Sequence, residues 1–279
     1  MTRSERGPAD PIHAPAAPGP GVGRIKRNVG RVIERSHVRR QPSRGRYDLA
    51  AINAVLDAGY VAHVAFVQDN QPFCIPMLYA RIGRAVYVHG SSASRTIRLL
   101  STGVPACLTV TILDGLVLAR SAFEHSANYR SAVLLGAFRR VDRDDERLAA
   151  FAAFTNQVIP GRWAEVREPN RQELKASQIL ALPIAEASVK VRSGPPTDDD
   201  SPDAERDVWA GVLPLHTIYG PPEAASGLRS GIPLSQSARR LIEGHAGPGT
   251  SQLDQIGDDR GGRPPAEPDR HPERDEPNG

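Results

Sequence analysis

The chain has 279 residues, of which 25 are glycine, 25 are proline and only 39% are hydrophobic. This composition predicts that part of the chain cannot fold and that the core must be sought in a subset of the sequence. The charge is also uneven, because residues 1–46 carry 11 Lys and Arg against 3 Asp and Glu, whereas residues 243–279 carry 4 against 9. Since the basic excess lies in a tail rich in Pro, Gly and Arg, we do not expect nucleic-acid binding.

The two cysteines and the hydropathy pattern limit the cellular setting. Cys74 and Cys107 both lie in apolar stretches and are too few for a disulfide framework or a zinc cluster. The sequence has no run of 18 apolar residues, and its start lacks the apolar stretch of a secretory signal. We therefore expect a reduced, cytoplasmic protein with no membrane partner, and we assign no metal site.

Hydrophobic periodicity divides the chain into three parts. Residues 1–45 show none and are predicted to form a disordered basic tail. Residues 46–222 are predicted to form the folded domain, with a flexible linker rich in Ser, Pro and Asp at 193–206. Residues 223–279 are predicted to be mostly disordered.

The predicted domain begins with a helix. Leu49, Ile52 and Leu56 recur at helical spacing, and Gly59 follows as a stop. Later elements alternate between apolar strands and short turns, with isolated helices among them. The predicted strands are 61–67, 72–80, 85–90, 106–112, 116–120, 129–141, 179–183 and 187–191, the predicted helices are 94–102 and 144–157, and the first turns are Asp69-Asn70 and Gly83.

This order of elements predicts the fold class. A strand-rich chain with short connections favours a closed or partly closed antiparallel β-barrel of about seven strands over a parallel doubly wound sheet. The dinucleotide-binding glycine fingerprint, the P-loop, the HExxH zinc motif and the GxSxG nucleophile elbow are all missing. Hydrolase and nucleotidase functions therefore have no support in the sequence.

The stretch YVHGSSASRTIRLL, residues 87–100, has the clearest chemical pattern. A strand ends at His89-Gly90, serines follow, and Arg95 opens an amphipathic helix. Free N–H groups at a helix start, hydroxyls and a guanidinium together form a cradle for a phosphate. The alternative, in which Ser92 or Ser94 only caps the helix and Arg95 points to solvent, stays open.

A second polar stretch, RSAFEHSANYRS at 120–131, lies between two apolar strands. It either lines a pocket or is simply exposed. His63 interrupts another apolar strand, where a hydrogen-bonded core histidine is the commoner outcome. Three imidazoles, those of His63, His89 and His125, make a metal or haem site conceivable, but no two of them have the close spacing of metal-binding motifs.

Several segments, taken in order, resemble the flavin-nucleotide-binding branch of the pyridoxamine 5′-phosphate oxidase-like proteins, which includes the nitroimidazole-resistance proteins. The resemblance covers roughly residues 46–222. The segments are GYVAHVAFVQDNQPFCIPMLYARIGRAVYVHGSSASRTIRLL (59–100), VPACLTVTILDGLVLARSAFEHSANYRSAVLLGAFRRV (104–141), IPGRWAEVR (159–167), KASQILALPIAEASVKVRSGPP (175–196) and WAGVLPL (209–215).

The resemblance implies a split β-barrel that forms a homodimer and binds FMN at the subunit interface. It implies that HGSSASRT holds the flavin phosphate and that the strand Cys74–Tyr79 runs along the isoalloxazine ring. The FMN-binding residues implied in this way are Cys74, Ile75, Pro76, Met77, Tyr79, His89, Gly90, Ser91, Ser94, Arg95 and Thr96.

The function expected is that of an FMN-dependent oxidoreductase of small molecules, with NAD(P)H as a possible donor and His63, His125 or Tyr129 as candidate proton donors. Synthesis of pyridoxal phosphate is not expected, because the strand CIPMLY lacks the basic residues of the true oxidases and WAGVLPL lacks their arginine. The alternative is a non-catalytic storage or sensor module for flavin or haem. Haem-degrading relatives use histidines near the C-terminus, where His216 is the counterpart here.

Overall fold

The computed structural model describes residues 34–244, and the remainder of the two predicted tails lies outside the described residues. At the N-terminal end, Arg35 donates two hydrogen bonds to the Glu186 carboxylate, at 2.7 and 2.6 Å. At the C-terminal end, the Ser237 N–H donates to Glu165 at 2.9 Å. Ordered contacts therefore extend beyond the predicted domain, 46–222, on both sides.

The described residues contain five α-helices. The first begins at Asp48, whose side chain accepts a hydrogen bond from the Ala51 N–H at 2.8 Å, and it ends before Gly59. A Cβ atom at Gly59 would lie 2.6 Å from Val110 Cγ1, so a glycine is needed for the helix end to pack this closely on the sheet. The helices are α1 (Leu49–Ala58), α2 (Arg95–Leu100), α3 (Asp144–Val158), α4 (Arg171–Ala176) and α5 (Gln236–Gly244). None of these helices is long and apolar enough to cross a lipid bilayer.

The strands form one antiparallel sheet that does not close on itself. They are β1 (Gly45–Arg46), β2 (Val61–Gln68), β3 (Gln71–Ile82), β4 (Ala85–Ser91), β5 (Pro105–Leu118), β6 (Ser126–Ala137), β7 (Arg139–Arg140), β8 (Ser177–Pro183), β9 (Glu186–Arg192) and β10 (Gly211–Pro214). Their order is β1-β9-β6-β5-β2-β3-β4-β8-β7, and β10 pairs with β5. The predicted split β-barrel is confirmed.

The predicted turns are confirmed by the backbone. Asp69 and Asn70 both have positive φ, 49° and 60°, and they join β2 to β3 as a two-residue hairpin. Positive φ at both central positions defines a type I′ turn, which matches the twist of the strands it connects. Gly83, with φ of 57°, begins the equally short turn into β4.

Other elements differ from the prediction. The predicted strands 106–112 and 116–120 are one strand, β5, with a register irregularity between Leu113 and Gly115. The polar residues 126–131 are part of β6 and not of a connecting loop. The sequence analysis also missed α4, α5 and β10, since these are short or lie where composition alone predicted a tail.

Two hydrophobic cores lie on opposite faces of the sheet. The larger fills the barrel interior with side chains from α1, α2 and most strands, such as Leu56, Val64, Leu108 and Leu182. The smaller lies between α3 and the outer faces of β3, β4 and β8. The alternation of buried and exposed positions along β2 follows the two-residue period of a half-buried strand.

The strand β3 changes partner partway along its length. From Gln71 to Leu78 it pairs with β2, and from Tyr79 to Ile82 it pairs with β4. Tyr79 faces the barrel core and the next residue, Ala80, faces the α3 core. The Tyr79 hydroxyl donates a hydrogen bond to the Leu56 carbonyl at 2.6 Å. Burial of this hydroxyl raises the pKa of Tyr79.

Outside the end of β3 that α3 covers, much of the outward face of β2, β3, β5 and β6 is exposed in the described part of the chain. It exposes apolar side chains, including Val67 at 58% and Leu78 at 48%. Cys74 and Cys107 stand on this face on either side of Ala65, their common cross-strand neighbour. Two strand spacings, about 9.6 Å, separate their Cα atoms.

The first part of segment 193–206, which was expected from its composition to be a flexible linker, is bound to the sheet by hydrogen bonds. The Asp198 side chain is fully buried and accepts from the Arg120 N–H at 2.6 Å and from its guanidinium at 3.2 Å. Arg192, also buried, donates to Asn128 and to the carbonyls of Gly194 and Pro195. These hydrogen bonds fix a stretch that has little apolar surface to bury.

The partner change in β3 can be tested through Tyr79. Tyr79→Phe removes the hydroxyl, but the Leu56 carbonyl keeps a second donor, the Gln157 side chain at 3.2 Å. We therefore expect a loss of about 1 kcal/mol in the free energy of unfolding, measured by urea denaturation. Tyr129→Phe is the matched control and should change stability by less than about 0.5 kcal/mol. Equal effects of the two substitutions would show that the buried hydrogen bond does not stabilise this region.

Candidate functional site

The start of α2 is a tight, hydroxyl-rich turn. The Ser94 side chain caps the helix by accepting from the Ile97 N–H at 3.5 Å, and the Ser91 hydroxyl accepts from the Ala93 N–H at 3.2 Å. The Ser92 N–H donates to the Ala176 carbonyl at 3.0 Å. The capping role left open for Ser94 is therefore real, and this hydroxyl could still donate its own proton to a ligand.

Two backbone donors and one guanidinium at this turn have no protein acceptor. Within residues 34–244, neither the N–H of Arg95 nor that of Thr96 is paired, and the exposed Arg95 guanidinium has no carboxylate partner. The first N–H groups of a helix point outward and carry its positive dipole end. The two amides and the guanidinium are therefore donors that the start of α2 can offer to an anion.

Phe73 connects this turn to the start of β3. The Arg95 guanidinium lies over the Phe73 ring, 4.7 Å from its centroid, and Phe73 stacks on Phe66 at 5.6 Å. A guanidinium over an aromatic face is held by a cation–π attraction while its edge stays free for a ligand. The sequence analysis missed Phe73, although the aromatic residue that opens β3 opposite Phe66 was a usable signal.

The segment of β3 next to this contact has a free backbone edge. Between Pro72 and Leu78 the strand pairs only with β2, since β4 joins it from Tyr79 onward. Pro76, which has no N–H, is tolerated because it lies on an edge. Side chains alternate here: Ile75 and Met77 pack on the barrel core, whereas Cys74 and Pro76 are exposed. A planar ligand could hydrogen-bond to the unpaired backbone groups of this edge.

Tyr79, Gly90 and His89, which were predicted to bind FMN, also have packing roles inside the protein. Tyr79 is in the barrel core, so its hydroxyl is not available to a ligand. A Cβ atom at Gly90 would lie 2.9 Å from Ile97 Cγ1, so this glycine lets α2 pack on β4. His89 packs against α3, with its ring 4.4 Å from Phe154 and 6.1 Å from Phe151.

The three candidate proton donors are not brought together. His63 and Tyr129 share the outward face but are two strands and several residues apart, which is more than about 15 Å at standard strand spacing. His125 lies in the loop between β5 and β6. A single chain therefore does not assemble them into one catalytic group.

One contact connects the start of α2 with the first half of β3. The Arg95 guanidinium lies over Phe73, so the first turn of α2 contacts the part of β3 that precedes its pairing with β4. The phosphate cradle predicted at Ser94 and Arg95 and the ring-binding strand predicted at Cys74–Tyr79 stay predictions, and this contact brings the two segments together. The fold defines the protein as a split β-barrel.

Comparison with known proteins gives the family. Residues 48–191 match the model of the family described as pyridoxamine 5'-phosphate oxidase, and the chain belongs to that family. No curated protein sequence matches the chain.

Two solved structures are similar over most of the chain. The flavocytochrome Anf3 from Azotobacter vinelandii shares 38% sequence identity, with a TM-score of 0.69 over 75% of this chain and 96% of its own. The FAD and heme binding protein from Mycobacterium smegmatis shares 40% identity, with a TM-score of 0.68 over 71% of this chain and 97% of its own. The family predicted from the sequence is confirmed.

The environment of His89 predicts a pH dependence of stability. Burial against the two phenylalanines lowers the pKa of His89, and its Nδ1 is buried without a partner. Because the unfolded chain binds a proton more readily, stability should be complete above pH 6.5 and fall as the pH drops below it. His89→Gln should flatten this slope in urea titrations between pH 6.5 and 5.

The control is His216→Gln, which changes an exposed imidazole and should keep the wild-type slope. Arg167 and the Asn170 N–H lower the pKa of Glu173 from 4.5 to about 2. The stability that this carboxylate contributes is therefore lost only as the pH falls below 4.5. The two pH ranges are therefore separate. An unchanged slope in His89→Gln would show that this histidine titrates as it does in the unfolded chain.

Proposed function

We propose that this protein binds a flavin between β3 and α2 and works as a flavin-dependent oxidoreductase of small molecules. The observation that carries the proposal is the unpaired Arg95 guanidinium, held over Phe73 beside two free helix amides and the free edge of β3. The amides and guanidinium suit a flavin phosphate, and the strand edge suits the polar rim of an isoalloxazine ring. Family membership and the two flavin-binding relatives support the same assignment.

The cradle fits the phosphate that FMN and FAD have in common. The sequence resemblance favours FMN, whereas the relative from Mycobacterium smegmatis binds FAD. Heat release of the flavin from purified protein, followed by mass spectrometry, distinguishes the two. Either result supports the cradle, and a protein that retains and takes up neither flavin would overturn it.

A bound flavin supplies the hydride and electron transfer, so the protein has to bind it, orient it and shield it from water. Arg95 and the α2 amides would anchor one end, and the β3 edge would orient the ring. Pyridoxal-phosphate synthesis is outside this proposal, because β3 lacks the basic side chains of the true oxidases. The donor we propose is NADH or NADPH, and the acceptor is a small molecule.

Haem is a second proposed cofactor. Both relatives bind it, one as a flavocytochrome and the other as an FAD and heme binding protein, and the matches span 96% and 97% of their chains. No group of three His, Cys, Asp or Glu between residues 34 and 244 could hold a bare metal ion. A haem iron needs fewer protein ligands than a bare metal ion, because the porphyrin supplies four nitrogens and one histidine can be sufficient.

An absorbance experiment separates the oxidoreductase from a storage or sensor module. Purified protein should show flavin bands that bleach anaerobically on addition of NADH or NADPH. Bands that persist would favour the non-catalytic alternative. A Soret band near the flavin bands would support haem.

The family resemblance predicts a homodimer, and we propose that the outward sheet face forms its interface. Exposed apolar side chains of β2 and β3, with Leu113 and Leu116 of β5, support this choice. A two-fold partner would cover this face and its two cysteines.

Arg95 provides the sharpest test of the flavin site. If its guanidinium contacts the flavin phosphate, Arg95→Ala should weaken FMN binding by about 1.5 to 3 kcal/mol, or roughly 10 to 150-fold. Riboflavin, which lacks the phosphate, should be affected far less. Arg95→Lys should recover part of the loss, because it keeps the charge without the planar fork. Fluorescence titration of both flavins measures the difference.

Arg98→Ala is the matched control, since Arg98 is exposed on the same helix. It should leave FMN affinity within about twofold of the wild-type value. Equal losses for FMN and riboflavin in Arg95→Ala would refute the phosphate role and leave only a packing role over Phe73.

The proposed interface is tested by adding charge to it. Val67→Lys combined with Leu78→Lys should convert a wild-type dimer into a monomer, as measured by light scattering at micromolar concentration. Both side chains are exposed in the single chain, so folding should be unaffected. Val166→Lys, at an exposed position after α3, is the control and should stay dimeric. A monomeric wild-type protein would contradict the proposed interface.

A further inference from the structure

The proposed haem function leaves the iron ligand unassigned, and the hydrogen bonding of the histidines distinguishes among them. The described residues include five histidines: His37, His63, His89, His125 and His216. An axial ligand must present an unprotonated ring nitrogen with open space in front of it. We propose that His125 is an axial ligand of the haem iron, through Nε2.

The tautomer of His125 is set by its backbone partner. Its Nδ1 lies 2.8 Å from the Ser121 carbonyl oxygen. A carbonyl oxygen only accepts hydrogen bonds, so Nδ1 of the neutral ring carries the proton and Nε2 has a free lone pair. Metal-binding histidines characteristically donate their other ring N–H to a carbonyl or carboxylate, which fixes the ring for the metal. The side chain is exposed, so Nε2 is open to a ligand.

The loop that carries His125 is held at several points. The Glu124 N–H donates to Ser121, with 3.3 Å to both its hydroxyl and its carbonyl oxygen. Glu124 also accepts from the Thr197 hydroxyl at 3.3 Å. One residue before Ser121, the Arg120 N–H is bound by buried Asp198. A ligand on a fastened loop loses little conformational entropy when it binds a metal.

Phe123 adds an apolar surface beside this imidazole. It lies two residues before His125 and is 91% exposed, the highest value among the large exposed apolar side chains. An aromatic ring in water at a loop tip lacks a packing partner, and a porphyrin is a large planar apolar surface. The pairing of a metal-ready imidazole with an unpacked aromatic ring favours haem over a small hydrophilic ligand.

The other four histidines lack this combination. His89 is enclosed by Phe151 and Phe154. The His37 ring stacks on Tyr47, with its Nδ1 3.4 Å from the Tyr47 hydroxyl. His63 and His216 are exposed, but neither has a hydrogen-bond partner in the described part of the chain that would orient its ring.

The test uses the full-length flavin-loaded protein, titrated with hemin and followed by the Soret band and by electron paramagnetic resonance. His125→Ala should bind hemin at least tenfold more weakly and lose the imidazole-ligated spectrum while keeping its flavin. Added imidazole should restore that spectrum. Phe123→Ala should weaken hemin binding several-fold yet keep the ligated spectrum, because the iron bond remains.

His37→Ala and His216→Ala are the matched controls and should behave as the wild type does. A wild-type iron spectrum in His125→Ala, or its loss in either control, would overturn the assignment while leaving the proposed haem function intact. A wild-type protein that takes up no hemin would overturn both, and the flavin content would show whether the flavin proposal survives.

A second measurement does not depend on haem. Nitrogen-15 spectra of the protein as purified without haem should show His125 in its Nδ1–H form at pH 8. A dominant Nε2–H form would overturn the proposal, because the coordinating nitrogen would then be blocked.

Discussion

The candidate site depends on the point at which the pairing of β3 with β2 ends and its pairing with β4 begins. Tyr79 marks this point, and its hydroxyl is anchored on the last turn of α1 by the Leu56 carbonyl. Since β4 pairs with β3 only from Tyr79 onward, the segment before Tyr79 has a free edge. The same divergence leaves room for α2 at the end of β4. The buried tyrosine thus marks the end of the free edge on which the proposed flavin site depends.

Local sequence signals were sufficient for most of the barrel. The alternation in VAHVAFV, the Asp69-Asn70 turn and the helical spacing in α1 each specify one conformation through short-range physics, and all three were predicted. The Ser94 and Arg95 segment was found for the same reason, because a strand, a hydroxyl cap and a helix start follow one another in the chain. Whether an anion occupies that segment is a question for the flavin titrations.

The contacts between residues that are far apart in the sequence could not be predicted. Asp198 is one acidic residue in an acidic, proline-rich stretch, and nothing local indicates that its partner is 78 positions earlier. Phe73 has an obvious place in a strand, but its contact with Arg95 depends on how α2 folds back. His89 has a ligand-like position at a strand end, yet the outward side of β4 is covered by α3, which gives this imidazole a packing role.

The buried Asp198 also bears on how the protein can be engineered. The stretch 193–206 has the composition that usually identifies a permissive position for inserting a tag or a fluorescent domain. An insertion beside Asp198 would separate it from Arg120 and leave a carboxylate in the interior without its cation. The turn at Gly83 and Arg84 is a better insertion point, since both residues are exposed and a side chain at Gly83 would meet no atom within 4 Å.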